Sequence, residues 1–325
     1  MIIRILCTML MIIGFLWGAG FAGAQASDYP TKPVILQVPW PAGGSTDVGA
    51  RIVAAIAEKK MGQPIVVTNR VGAGSQLGLT ETARAKPDGY ALGFASLPAL
   101  NTIVIDPERK ALFDLKSLIF IINQVVDPGI IWAKGDSPHK TLKDLLDDAR
   151  KRPGQIRAAT TGILGDDHLA ILMLEQAAKV KFRIVHFDGG AHVFTAILGG
   201  QVDVAFGNVG DIAIKLKGTP LRVLMVMDSQ RSKFVPDAPT TAELGFPNII
   251  SSSSRGVIGP AGIPGPILKK IQAVFLEAMK DPGHIDKMNN AGLAVRPMVG
   301  EEYKKYVDEL HQRILPLMEI ARKEK

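Results

Sequence analysis

Five times along this 325-residue chain a short apolar strand pattern runs into a glycine-containing polar turn that opens a helix. The turns are Pro41-Ala42-Gly43-Gly44-Ser45-Thr46-Asp47, Gly72-Ala73-Gly74-Ser75, Thr160-Thr161-Gly162-Ile163-Leu164-Gly165-Asp166, Asp188-Gly189-Gly190 and Gly207-Asn208-Val209-Gly210-Asp211. The first N–H groups of a helix have no acceptor within it, and the helix dipole adds partial positive charge there. Each turn is therefore an anion-receptive terminus. Two lie in the first third of the chain and three in the middle, as expected if two α/β domains offered loops to one shared cleft.

The spacing predicts strands at 34–38, 64–68 and 90–95, with Val48, Ile52 and Ile56 forming one apolar helix stripe between the first two. The rhythm returns after Asp127-Pro128-Gly129. Strands are predicted at 130–133, 157–160, 183–187, 202–206 and 221–226, and helices at 166–178 and 191–198. Thr141 and Asp144 form a capping signature. Strands alternating with helices in this way predict a parallel, doubly wound α/β sheet. Beyond Ser251-Ser252-Ser253-Ser254 the pattern changes to a short strand at 256–259, a Pro/Gly turn at 260–266 and helices at 267–280 and 301–322.

At the N-terminus, Arg4 precedes an apolar run from Ile5 to Trp17, and Ala22-Gly23-Ala24 and Ala24-Gln25-Ala26 are small-x-small cleavage sites. This is the pattern of a secretory signal peptide over 1–26, followed by an exported, soluble chain. The only cysteine, Cys7, falls inside that leader. A mature chain without cysteine has no disulfide and no thiol chemistry, which fits a bacterial periplasm. The formal net charge is +7, but the basic residues are spread out and not interleaved with aromatics. That distribution argues against nucleic acid as a partner.

Gly43 and Gly44 remove side-chain bulk from the first turn, while Ser45 and Thr46 supply hydroxyl donors. Asp47 stands where it would cap the helix or pin the loop. Gly72-x-Gly74-x-x-x-Gly78 is a poor dinucleotide fingerprint, because the following strand ends at Ala95-Ser96 without the acidic residue a ribose requires. No Gly-x-Ser-x-Gly elbow is present. Asp166-Asp167-His168 reads as a helix first turn, with the aspartates complementing the dipole and His168 placed to donate to a ligand or a loop. His186 and His192 have no metal-ligand spacing, so neither metal nor cofactor is expected. Trp40 and Phe187 meet glycine turns at strand ends, where they would either wall a pocket or plug the sheet. Asn208 is a donor for a bound oxygen.

Several segments together resemble one family: Tyr29 through Asp47, Gly62-Gln-Pro-Ile-Val-Val-Thr-Asn-Arg70, Gly72-Ala-Gly74 and Lys86-Pro-Asp-Gly-Tyr90. The likeness resumes at Gly165-Asp-Asp-His-Leu169, Leu198-Gly-Gly-Gln-Val-Asp203, Ala238-Pro-Thr-Thr-Ala-Glu-Leu-Gly245 and Gly259-Pro-Ala-Gly262. These are similar to the extracytoplasmic binding proteins of tripartite tricarboxylate transporters, the Bug family.

The resemblance implies a two-lobed clamshell, with 27–127 plus 253–325 as one lobe and 128–252 as the other. It implies a monomeric periplasmic receptor that closes on a small organic carboxylate and delivers it to membrane permease subunits. Ligand contacts are expected from Trp40, Ala42, Gly43, Gly44, Ser45, Thr46 and Asp47, then Gly72, Ala73, Gly74, Ser75 and Ser96. From the other lobe they are expected at Thr161, Gly162, His168, Asp188, Gly189 and Asn208. The chain departs from the family at Phe187-Asp188-Gly189-Gly190, where a Tyr-Lys-Gly segment is common, so a cation is lost from that turn. Two further readings are a ligand sensor docking on a kinase, and a periplasmic hydrolase or lyase built around His168 or His186.

Overall fold

The computed structural model describes residues 28–323; the leader expected at 1–26 lies outside them. Three strands open the fold: β1 (Val34–Val38), β2 (Ile65–Asn69) and β3 (Ala91–Leu97). The helices α1 (Ser45–Met61), α2 (Gln76–Arg84) and α3 (Ala99–Ile105) follow them in turn. β1 pairs in parallel with both β2 and β3, as βαβ units do. A second set repeats the plan. It comprises α4 (Leu142–Lys151), β5 (Arg157–Thr160), α5 (Asp166–Ala178), β6 (Arg183–His186), α6 (Gly190–Leu198), β7 (Val204–Asn208) and the single turn α7 (Val209–Ile212), with β5 parallel to β6 and β7.

Two long strands join the sets. β4 (Leu118–Lys134) pairs antiparallel with β9 (Ser252–Pro260) along its first part, and its last residues pair with β7 and with β8 (Leu221–Val226). β9 also runs antiparallel to β3. The strand order is β2-β1-β3-β9-β4-β7-β5-β6, with β8 and β10 (Val295–Val299) added on β4. The sheet is therefore mixed: β1–β3 and β5–β7 pair in parallel, as the alternation predicted, while the crossing strands β4 and β9 run antiparallel to their neighbours. The chain leaves one half along β4 and returns along β9, and a there-and-back pair is antiparallel.

The strands predicted at 130–133 and 256–259 are the visible ends of these two crossing strands. Asn123, Gln124 and the serine run hid the rest, because they read as polar connections. Inside the sheet their polarity is satisfied: Ser254 Oγ donates to Asn123 Oδ1 at 2.9 Å, and Asn123 Nδ2 donates to the Arg296 carbonyl at 2.9 Å.

Each half has its own core. In the first, Leu36, Val53 and Phe94 pack with Phe275 of α8 (Gly265–Lys280), and in the second Leu145, Ile171 and Leu174 pack under Phe206. After α9 (Pro282–Asn290), the closing helix α10 (Glu301–Lys323) buries Tyr303, Val307 and Leu310 in a cluster with Leu100 and Ile103 of α3 and Leu169 and Leu172 of α5. One helix thus lies against both halves. Among the described residues, no helix is long and apolar enough to cross a membrane.

Gly256 on β9 is where the crossing strands meet α10. A Cβ there would fall 2.5 Å from the Ile122 carbonyl oxygen, 2.7 Å from Asn123 Cα and 2.9 Å from the Tyr303 hydroxyl. Two of those atoms are backbone, which cannot swing away. Gly256→Ala is expected to destabilise the protein by about 1–3 kcal/mol, as overpacking does. Urea unfolding should show a lower midpoint with an unchanged slope.

Candidate functional site

All five glycine turns open helices at the ends of strands, and they gather around one cleft of about 820 Å³ between the two halves. One wall carries Trp40, the 42–46 loop, Ala73, Gly74 and Ser96; the facing wall carries Thr161, Gly162, Asp188, Gly189 and Asn208. Four expected positions are not on the cleft wall. Asp47, Gly72, Ser75 and His168 lie behind it and shape the loops in front.

Asp47 does this through three hydrogen bonds. It is 2% exposed and accepts the Gly43 N–H at 3.0 Å, Arg51 Nε at 2.9 Å and Asn69 Nδ2 at 2.8 Å. Gly43 reaches it with φ at +82°, a left-handed conformation that glycine adopts without strain. Burial raises the Asp47 pKa, but the hydrogen bonds from Arg51, Gly43 and Asn69 outweigh it and hold the carboxyl below its ordinary value.

Asp167 does the same for the facing loop, accepting both the N–H and the hydroxyl of Thr161, at 3.1 and 2.6 Å. His168 Nδ1 accepts the Leu164 N–H at 3.0 Å, and its ring meets His186 edge-on at 4.8 Å. Burial, then the neighbouring His186, pushes His168 down to about 4, so it is a neutral acceptor at pH 7. Ser75 is buried with φ at +76°, at the N-cap of α2. Gly72 leaves room for Leu77, whose Cδ1 would stand 2.4 Å from a Cβ there. Trp40 donates its indole N–H to Ser96 Oγ at 2.7 Å, so it lines the cleft and is fastened to a strand end.

Sequence reasoning missed the basic residues on the cleft wall. Arg109 sits on a 3₁₀ turn and bridges the halves: Nη1 donates to the Ala73 carbonyl at 2.8 Å and Nη2 to the Ile163 carbonyl at 3.4 Å. Lys215 donates to the Asp211 carbonyl at 2.9 Å and stands 4.6 Å over the Phe194 ring. Arg255, directly after the serine run, is 3% exposed and pairs with Asp127 at 3.0 Å. Only its position beside the serines marked it, and a serine run carries no ligand signal.

Around that pair lies a polar floor. Asp127 accepts the Gly210 N–H at 3.1 Å, Asn208 Nδ2 donates to Asp166 at 2.8 Å, and Arg255 Nη2 lies 3.4 Å from Asn208 Oδ1. Burial pushes Asp127 upward, and the attraction of Arg255 offsets only part of it. Asp166 is raised as well, by burial against the opposing hydrogen bond of Asn208. Ser45 Oγ donates across the cleft to Asp211 Oδ1 at 3.1 Å.

Two lobes joined by crossing strands, with helix N-termini from both facing one cleft, define the class of two-lobed solute-binding receptors. Within that class the chain belongs to the tripartite tricarboxylate transporter family receptor family, whose model matches residues 49–322. It is similar to the protein BugT of Bordetella pertussis, 28% identical over 281 residues and covering 86% of each chain. The structure of MatC from Rhodopseudomonas palustris with bound malate superposes with a TM-score of 0.82 at 26% identity, covering 89% of this chain and 100% of that one. An unliganded TctC solute-binding protein from Polaromonas has a TM-score of 0.70 at 26% identity, covering 90% and 99%. These proteins are substrate-binding proteins by family.

Asp47→Asn removes the charge that pins the first loop. Because the folded-state pKa is depressed, the stabilisation is present above the unfolded value of about 4 and is lost as pH falls through the folded one. The variant should therefore be less stable than the parent at pH 7, with the difference shrinking below about pH 4 in thermal melts. At the floor, Arg255→Leu leaves Asp127 buried without its cation and is expected to cost about 3–5 kcal/mol. Adding Asp127→Leu should recover part of that in a double-mutant cycle.

Proposed function

We propose that this protein captures a small organic carboxylate in the interlobe cleft and hands it to the membrane subunits of a tripartite transporter. The observation that carries the reading is the convergence of helix N-termini from both halves on one cleft. α1 offers the 42–46 loop and α5 and α6 offer theirs, so first-turn N–H groups and dipoles of both lobes face the same space. Bound malate in MatC is consistent with this chemistry.

The proposed lobes are 27–127 with 253–325, and 128–252, hinged where β4 and β9 cross. The proposed ligand contacts are the cleft-wall residues of both halves, with Asp47, Gly72, Ser75 and His168 acting as supports for the loops. Closure expels water, and the Ser45–Asp211 and Arg109 contacts then latch the lobes. The work is done in the periplasm, by a monomer released from a leader at 1–26.

The ligand leaves unaltered. The hydroxyl–histidine pair beside the cleft, Thr160 with His186 Nδ1 at 2.7 Å, has a fully buried threonine that a substrate does not reach. A kinase-docking sensor would share the same cleft, and no feature of the site favours it over transport.

Gly44 tests the reading without disturbing the fold. Its backbone is extended, at φ −74° and ψ 164°, and the nearest atom to a Cβ is the Pro41 carbonyl oxygen at 3.7 Å. Gly44→Val should therefore fold normally and fill the loop mouth. In a calorimetric panel of organic acids, the parent should bind at least one acid, recovered unchanged, and Gly44→Val should bind it at least about 100-fold more weakly, a loss of about 3 kcal/mol. An unchanged affinity in the variant would remove the loop from the site, and chemical turnover of the acid would overturn the receptor reading.

A further inference from the structure

The cleft that accepts the carboxylate holds more negative than positive side chains. Asp106, Glu108, Asp166, Asp188 and Asp211 line it, against Arg109, Lys215 and Arg255. Each of the three cations is already engaged. Arg255 is buried against Asp127, Arg109 is held by the Ala73 and Ile163 carbonyls, and Lys215 by the Asp211 carbonyl and the Phe194 ring. His186 adds no charge at neutral pH, because burial lowers its pKa.

Two of these carboxylates accept hydrogen bonds from neutral groups. Asp211 Oδ1 accepts from the Ser45 hydroxyl and Asp166 from the Asn208 amide. Asp188 is exposed in the turn between β6 and α6 and lines the cleft, and among the described residues its carboxylate takes neither a hydrogen bond nor an ion pair. Its neighbour Gly190 lies beside Asp211, whose Oδ1 would be 3.1 Å from a Cβ there. The start of α6, α7 and the Ser45 hydroxyl of the opposite lobe therefore meet in one acidic quarter of the cleft.

A dicarboxylate or tricarboxylate entering this cleft would place a second negative charge against that quarter. We infer that the ligand is a carboxylate that also carries an ammonium group, an amino-acid-like zwitterion. Its carboxylate sits at the α1 loop and its nitrogen at Asp188 and Asp211. The inference rests on the carboxylate-receptor reading and narrows it.

Matched pairs differing only by the amine test it: aspartate with succinate, glutamate with glutarate, and phenylalanine with 3-phenylpropionate, each titrated calorimetrically at pH 7.5 into the purified protein. In any pair that binds, the amino member should bind about 10- to 100-fold more tightly, the worth of a charge-assisted hydrogen bond. Asp188→Asn, an exposed change that melts like the parent, should shrink that preference.

Equal or tighter binding of the deaminated acids would overturn the inference and leave the carboxylate receptor standing. Failure of every acid to bind would sink both readings. Ligand released by denaturing freshly purified protein gives an independent readout. A compound with both amine and carboxylate supports the inference, and an acid without basic nitrogen overturns it.

Discussion

The ion pair between Asp127 and Arg255 lies where the two halves are joined. Both side chains are nearly inaccessible, at 1% and 3% exposure, and they stand on the two strands that cross between the lobes. A buried pair of this kind contributes little net stability compared with an apolar pair, because each charge has lost its hydration. What it contributes is a defined arrangement. Asp127 also accepts the Gly210 N–H at the start of α7, and Arg255 reaches Asn208. The hinge strands, the end of β7 and a cleft-facing helix terminus are thereby held in one polar network. Leaving any member unpaired is costly, so the register of β4 against β9 is tied to the position of the site.

Around this pair the two lobes use the same device to prepare a loop for a ligand. An aspartate in the first turn of a helix accepts N–H groups from the loop before it: Asp47 takes Gly43, Asp167 takes Thr161, and Asp211 takes Asn208. Each carboxylate takes a backbone N–H of its loop as well as side-chain donors, which fixes the loop before a ligand arrives. Anchoring in advance lowers the ordering entropy that a ligand must overcome, and one weak dipole after another becomes useful only when all are held in place. The helix α10 limits the freedom of this machine, because it packs on α3 of one half and α5 of the other. Any opening of the cleft has to slide or bend at that shared face as well as at the crossing strands.

Local pattern carried most of this architecture. α5 was legible to the residue, because Gly165 caps it, two aspartates open it and the apolar run that follows is continuous. The five turns were legible because glycine and small polar residues have few other reasons to stand between an apolar strand and an apolar helix. The crossing strands were not, since Asn123, Gln124 and the serines are polar. They become strand only because partners far apart in sequence, such as Asn123 and Ser254 at a separation of 131 residues, pair with each other. The same blindness hid Arg109, Lys215 and Arg255 from the site, as none of them lies in a glycine turn.

The sequence by itself determined the α/β class, the position of each loop at a helix N-terminus and the family resemblance, because these depend on spacing within about twenty residues. Only the tertiary structure decided that the sheet is mixed, that His168 lies behind the cleft wall as a loop support, and that the cleft lining carries more acidic than basic side chains. Those facts depend on contacts between residues far apart in the chain. Whether a charge is buried, paired or turned toward a ligand is set by the three-dimensional neighbours that solvate it.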